Sequence, residues 1–287
     1  MRNSLQSVVL MIGSTLCYSG LHALIRYTSQ ELHPFELAFF RNLFGLLVIA
    51  PWFFRKGLGI LRTTRLPLHL VRAGLNALAV LSFFYAFSVV PLAEATALSF
   101  VAPIFATVLA VIFLGEVVGG RRWLAILLGI VGVFVLLRPG FETVSLGEIS
   151  VLIYSLLTAI AIIVSKSLSR TDSSVTIIAY VILLMIPISA IPAISVWQTP
   201  TFNQLILMVL MGILGTSGQL LLTEALRRSA TYIVMPLDFL KMVWAVIFGV
   251  IFFGEYLSFA GWLGSGLIIL GATYIVLREG KTRGAPL

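Results

Sequence analysis

The sequence predicts an all-α membrane protein of ten transmembrane helices, arranged as two inverted five-helix repeats. Three observations lead there: an apolar composition, ten apolar runs of membrane-spanning length, and an internal repeat with an odd number of runs in each copy. Of the 287 residues, 60 % are apolar and 10 % charged, against roughly 45–50 % and 25 % in soluble domains. So few charges would not cover the surface of a soluble globule, and a disordered chain carries far less apolar material. The bilayer is the expected solvent.

A helix needs roughly 20 apolar residues to cross a hydrocarbon core of about 30 Å. Ten such runs, spans 1 to 10, lie at 5–26, 35–54, 69–89, 92–114, 122–138, 147–168, 174–196, 203–226, 231–253 and 258–278. Outer-membrane strands are about half that length and alternate in polarity, so the runs are helices. Pro34, Pro67, Pro139 and Pro200 punctuate short connections, none of which is long enough for a further domain. Span 1 follows Arg2, but it is longer than a signal-peptide core and no A-x-A site follows, so it is read as a retained helix. The single cysteine, Cys17, has no internal disulfide partner.

The net charge of +8 is read by position. With the N-terminus inside, fifteen of the nineteen Lys and Arg fall on inner segments, Arg26 and Arg138 fall outside, and Arg41 and Lys241 lie within spans. This asymmetry predicts that both termini are cytoplasmic. The basic residues form no aromatic-interleaved stripe, so the lipid bilayer is the expected partner and nucleic acid is not. No oligomeric state is read from the sequence, and a monomer is consistent with it.

Sliding the chain along itself by 139 residues aligns Phe113, Gly115 and Glu116 with Phe252, Gly254 and Glu255. Trp123, Leu124, Leu128, Ile130 and Gly132 then meet Trp262, Leu263, Leu267, Ile269 and Gly271, and upstream Ala106 and Val111 meet Ala245 and Val250. The two units are residues 1–139 and 140–287. Five spans per unit is odd, so the second unit enters the membrane from the opposite face. Inverted repeats of this kind build secondary transporters, whose substrates bind near the midplane between the halves. Duplication also builds channels and membrane enzymes, which stay open as alternatives. A channel would conduct without saturation, and an enzyme needs a catalytic constellation.

The stretch Pro34–Arg41 (PFELAFFR), the segment Pro91–Ala97 (PLAEATA), Ala102-Pro103 and the paired endings Gly115-Glu116 and Gly254-Glu255 resemble the drug/metabolite transporter superfamily in its ten-helix EamA-type branch. The resemblance covers nearly the whole chain. Within that branch it is most similar to bacterial exporters of amino acids, aromatic ones among them. Carriers of S-adenosylmethionine, nucleotide-linked solutes and cationic drugs share the skeleton and stand as the alternative. The resemblance implies an inner-membrane exporter whose central cavity is lined mainly by spans other than 5 and 10.

Ionisable side chains inside the spans are costly and therefore mark function. Asp238 and Lys241, three residues apart in span 9, share one face. They neutralise each other or offer opposite charges to a zwitterion. Arg41 balances a carboxylate or snorkels outward. Asn76, Tyr85, Tyr154, Tyr180 and Gln219 are polar groups that bond between helices or face a cavity. Phe83 and Trp244 offer rings for an apolar substrate to stack on. These ten residues form the expected substrate site. Glycines at 129, 132, 212, 215, 218, 261, 264 and 271 are read as packing contacts. Pro103 in span 4 and Pro236 in span 9, which are repeat mates, are the expected kinks and gating hinges, while Pro187 and Pro192 kink span 7. Glu116 and Glu255 are expected to cap loops or form gates.

No P-loop, no G-x-G-x-x-G before a strand and no H-E-x-x-H occurs, and His22, His33 and His69 are scattered. The expectation is a small-molecule carrier, with an amino acid as substrate, without enzymatic activity, metal or cofactor. The small four-helix exporters of the superfamily depend on an unpaired membrane Glu; span 1 here has no carboxylate, which argues against that mechanism.

Overall fold

The computed structural model describes residues 2–57, 61–114, 120–137, 144–168, 171–172, 174–228 and 235–283. Glu116 and Arg138 lie outside them. Among the described residues the fold is helical, with no strand. The α-helices are α1 (Arg2–Thr28), α2 (Pro34–Lys56), α3 (Leu66–Val89), α4 (Leu92–Ser99), α5 (Ala102–Leu114), α6 (Gly120–Leu137), α7 (Leu146–Leu168), α8 (Ser174–Ser195), α9 (Phe202–Arg228), α10 (Leu240–Phe248) and α11 (Phe259–Arg283). A 3-10 turn, Met235–Phe239, precedes α10, and a π turn, Gly249–Phe253, follows it. Five stretches are long and apolar enough to cross a membrane: Gln6–Thr28, Leu66–Val89, Leu92–Leu109, Leu146–Ser165 and Phe202–Leu222. Eight of the ten predicted spans match single helices to within a few residues; spans 4 and 9 do not.

Span 4 is broken rather than kinked. Its helix stops at Ser99 and restarts at Ala102, which places Pro103 in the first turn of α5 instead of mid-helix. Proline has no N–H for the carbonyl four residues back and its ring crowds that carbonyl, so a first-turn position is the one it tolerates. The carbonyl so deprived is that of Ser99. The Ser155 hydroxyl on α7 lies 3.4 Å from both the Leu98 and Ser99 carbonyl oxygens and supplies the missing donor.

Span 9 is also irregular. Pro236 sits in the 3-10 turn, and Asp238 therefore precedes α10, with Lys241 in its first turn. The π turn ends at Gly254, whose φ of 63° is left-handed, a conformation glycine adopts without cost. This explains the Gly in the Gly-Glu ending: it reverses the chain and turns Glu255 back onto the bundle.

The helices pack in a recurring pattern. α1 lies along α9, and α3 along α7; α2 contacts α9, and α3 contacts α8; α10 rests on α1, while α4 and α5 rest on α7. α6 and α11 form a pair of their own. Small residues let their backbones touch, as expected where lipid supplies no hydrophobic drive. A Cβ added at Gly132 would stand 2.8 Å from the Gly264 carbonyl oxygen and from the Ile268 nitrogen. One added at Gly271 would stand 2.6 Å from the Ala125 oxygen and 3.1 Å from the Gly129 nitrogen. Gly132→Ala is thus expected to destabilise the protein in detergent by about 1–3 kcal/mol through overpacking, read as a lower melting temperature. Gly266→Ala on α11, whose added Cβ meets nothing within 4 Å, leaves that temperature unchanged or raises it.

Candidate substrate site in the middle of the bundle

Seven of the ten residues expected to bind substrate come together, from five separate helical elements and the turn before α10. Arg41 on α2 lies about 10 Å along the helix from its start, and its side chain crosses to α9. There its Nε and Nη2 atoms would be 2.9 and 3.1 Å from a Cβ at residue 215. Gly215 is therefore the position that makes room for the guanidinium. Its Nη1 donates to Asn42 Oδ1 at 2.9 Å, Asn42 Nδ2 donates to Ser189 Oγ on α8 at 3.3 Å, and Nε finds no partner. Arg41 also lies close enough to Tyr18 and Tyr154 for its charge to act on both phenols.

Asp238 and Lys241 form an ion pair, with Nζ 2.6 Å from Oδ1. The contact is one of charge rather than of hydrogen-bond direction. The same Nζ stands 4.7 Å from the centre of the Tyr18 ring, a cation–π distance. The Tyr18 hydroxyl donates to Gln219 Oε1 at 2.6 Å, and Trp244 Nε1 donates to Thr15 Oγ1 at 3.2 Å. Phe83 meets Tyr154 with ring centres 4.9 Å apart, and His22 at 5.0 Å; His22 also packs on Phe87 at 4.3 Å. His22 is 5 % exposed and its Nδ1 has no partner. Each lone polar atom in an apolar interior costs free energy unless something bonds it.

Three expected residues lie elsewhere. Asn76 donates back to the Arg72 carbonyl on its own helix, satisfying itself one turn away. Tyr180 donates to the Leu61 carbonyl and stacks on His69, with centres 4.4 Å apart. Tyr85 is two residues from Phe83, about 200° around α3, and so faces away from the cluster. Thr15, Tyr18 and His22, not among the ten expected residues, also join the cluster. Their spacing of three and four residues puts them on one stripe of α1, the signal by which they could have been found.

Both ends of the bundle are tied. Where α1 and α3 finish, Arg26 Nε and Nη2 donate to Glu255 Oε1 at 3.2 and 2.9 Å, and Nη1 donates to the Ser88 carbonyl. Glu255 Oε2 accepts from the Leu92 backbone N–H at 2.8 Å, so one carboxylate joins α1 to α4. At the opposite end His69 Nε2 is 2.7 Å from Asp172 Oδ2, which also accepts from Thr63 Oγ1 at 2.8 Å. The hydrogen bonds from His69 and Thr63 hold the Asp172 carboxyl below its ordinary value. A cavity of about 350 Å³ lies not at the central cluster but near that second end, lined by Gln6, Val9, Leu10 and Arg228. Among the described residues no three His, Cys, Asp or Glu side chains are grouped to hold a metal.

Residues 5–138 and 145–277 each match the EamA-like transporter family. The S-adenosylmethionine uptake transporter of Rickettsia bellii (strain RML369-C) is 28 % identical over 285 residues, 98 % of either chain. The riboflavin transporter of Rhizobium johnstonii (strain DSM 114642 / LMG 32736 / 3841) is 29 % identical over 279 residues, 96 % of this chain and 92 % of that one. A solved crystal structure at 18 % identity superposes with a TM-score of 0.65, over 97 % of this chain and 99 % of that chain, and thus shares the fold. These relatives bear out the superfamily and point away from amino acid export in particular. The chain is a multi-pass membrane transporter and belongs to the EamA-like transporter family.

Proposed function

We propose that the chain is a secondary carrier moving a heteroaromatic metabolite, of the S-adenosylmethionine or riboflavin type, across a bacterial inner membrane. It works by alternating access between two inverted five-span units, residues 1–139 and 140–287, with both termini in the cytoplasm. The observation that carries the two-fold arrangement is the α6–α11 crossing. As residue numbers fall from 132 to 125 on α6, their partners rise from 264 to 271 on α11, so the helices run antiparallel. Exchanging the units by 139 residues turns the Gly132–Gly264 contact into the Gly271–Ala125 contact, and Gly132–Ile268 into Gly271–Gly129. Contacts that map onto each other across an antiparallel pair support a pseudo-dyad perpendicular to the helices, which is the membrane plane if they span. The wider packing obeys the same exchange: α1 with α9 becomes α7 with α3, and α2 with α9 becomes α8 with α3. Ten spans follow if the broken segments 92–114 and 231–253 each cross once.

The substrate class rests on two supports. The relatives' names favour metabolite carriers over the aromatic amino acid export expected from sequence. S-adenosylmethionine and riboflavin share a heteroaromatic ring on a hydroxylated chain, and the central cluster offers ring faces beside polar atoms. Arg41, Phe83, Tyr154, Gln219, Asp238, Lys241 and Trp244 are the proposed lining, with Thr15, Tyr18 and His22 added. The breaks at Pro103 and near Pro236 are the proposed hinges, since interrupted helices flank binding sites in inverted-repeat carriers. The Arg26–Glu255 tie is the proposed outer closure.

Two measurements test this reading. Proteoliposomes should take up labelled riboflavin or S-adenosylmethionine saturably above empty vesicles, and labelled phenylalanine should not enter; uptake of phenylalanine alone would return the assignment to amino acids. Asp238→Asn and Lys241→Met should each slow transport about tenfold or more, because each leaves a buried charge unpaired. The double variant should recover much of the rate. A double variant as slow as the singles means that the pair contacts the substrate rather than neutralising itself.

A further inference from the structure

The central cluster holds two cations and one carboxylate, and the carboxylate is already engaged. Asp238 stands 2.6 Å from Lys241. Among the described residues no carboxylate is within ion-pair distance of Arg41, whose one hydrogen bond goes to the Asn42 amide and whose Nε has none. Glu36, on the same helix, accepts instead from the Gln198 backbone N–H. Snorkelling does not relieve Arg41. The guanidinium lies against Gly215, thirteen residues inside α9, at a place where a Cβ would collide with it. A guanidinium kept inside an apolar bundle without a counter-ion is costly, and its planar fork of donors fits a carboxylate or phosphate in bidentate fashion.

Arg41 also stands near a row of packed rings. It is electrostatically close to Tyr154; Tyr154 packs on Phe83, and Phe83 on His22, whose Nδ1 is likewise unpartnered. Resting on the carrier reading above, we propose that the transported solute bears an anionic oxygen group, carboxylate or phosphate, held by Arg41, on a ring system that packs against Tyr154, Phe83 and His22. Arg41 is then the residue that selects charged solutes from neutral ones of the same ring, and His22 offers one hydrogen bond to the polar edge of that ring.

Two matched pairs of compounds test this on the purified full-length protein by equilibrium binding. S-adenosylmethionine against its decarboxylated analogue reads the carboxylate, and riboflavin 5′-phosphate against riboflavin reads the phosphate. In at least one pair the anionic member should bind the wild type tenfold or more tightly, which also identifies the group. Arg41→Gln should abolish that preference, and Arg41→Lys should keep part of it. Should Arg41→Gln fail to fold, Gly215→Ala, which displaces the guanidinium while leaving its charge, should weaken the anionic member selectively. Equal binding within both pairs by the wild type, or a preference that survives Arg41→Gln, overturns the proposal while leaving a carrier of neutral rings standing. Failure of all four compounds to bind removes the proposed substrate class and this inference with it.

Discussion

An apolar solvent forgives no unpaired polar group, and this constraint orders the rest of the molecule. With no water to bond N–H and C=O groups, backbone in a bilayer coils into helices. Where a helix is interrupted, something must replace the lost bonds. Pro103 deprives the Ser99 carbonyl of its donor, and Ser155 on α7 stands beside it. The ends of α3 and α4 are stitched by Arg26 and Glu255, whose charges meet each other, a carbonyl and a backbone N–H. Those two side chains leave few strong donors or acceptors unmet. Arg41 Nε and His22 Nδ1 are among the buried polar atoms left unmatched, and both belong to the central cluster.

The proposed two-fold exchange accounts for why these groups meet in the middle. α1 lies along α9 and α7 along α3, and in the proposed arrangement each pair joins one helix from either unit. Tyr18 lies about 15 Å from the end of α1, and Tyr154 about 12 Å from the start of α7. Both contribute to one cluster from opposite halves. α6 and α11 form a glycine-backed pair, and α11 also packs on α4, α5 and the turn before α10. A carrier needs a site shared by two bodies and a fixed seam between them, which is what the proposed arrangement assigns to the central cluster and the α6–α11 pair.

How much of this was legible in the sequence depended on what each signal measures. Run length and composition identify spans, because lipid thickness sets helix length, and eight of the ten emerged as single helices. Spans 4 and 9 read as ordinary runs because apolarity does not report where hydrogen bonding fails; only Pro103 and Pro236 hinted at it. Arg41, Asp238 and Lys241 were legible because a charge in an apolar run is conspicuous wherever it points. Asn76 and Tyr180 met the same test and yet face their own helix or a loop carbonyl, since depth along a span does not give its facing. Thr15, Tyr18 and His22 form a stripe that appears only on a helical projection. Substrate identity was the least legible, because one skeleton serves several metabolites and the choice rests on a few side chains.

Orientation of the two units is the claim from which all else follows, and thiol labelling reads it directly. Thr64 and Asn203 are exposed and separated by the 139-residue repeat offset. In a Cys17→Ser background, Thr64→Cys should react with a membrane-impermeant maleimide only in inverted vesicles, and Asn203→Cys only in intact spheroplasts. Labelling of both positions from the same face would contradict the inverted repeat and the midplane site built on it.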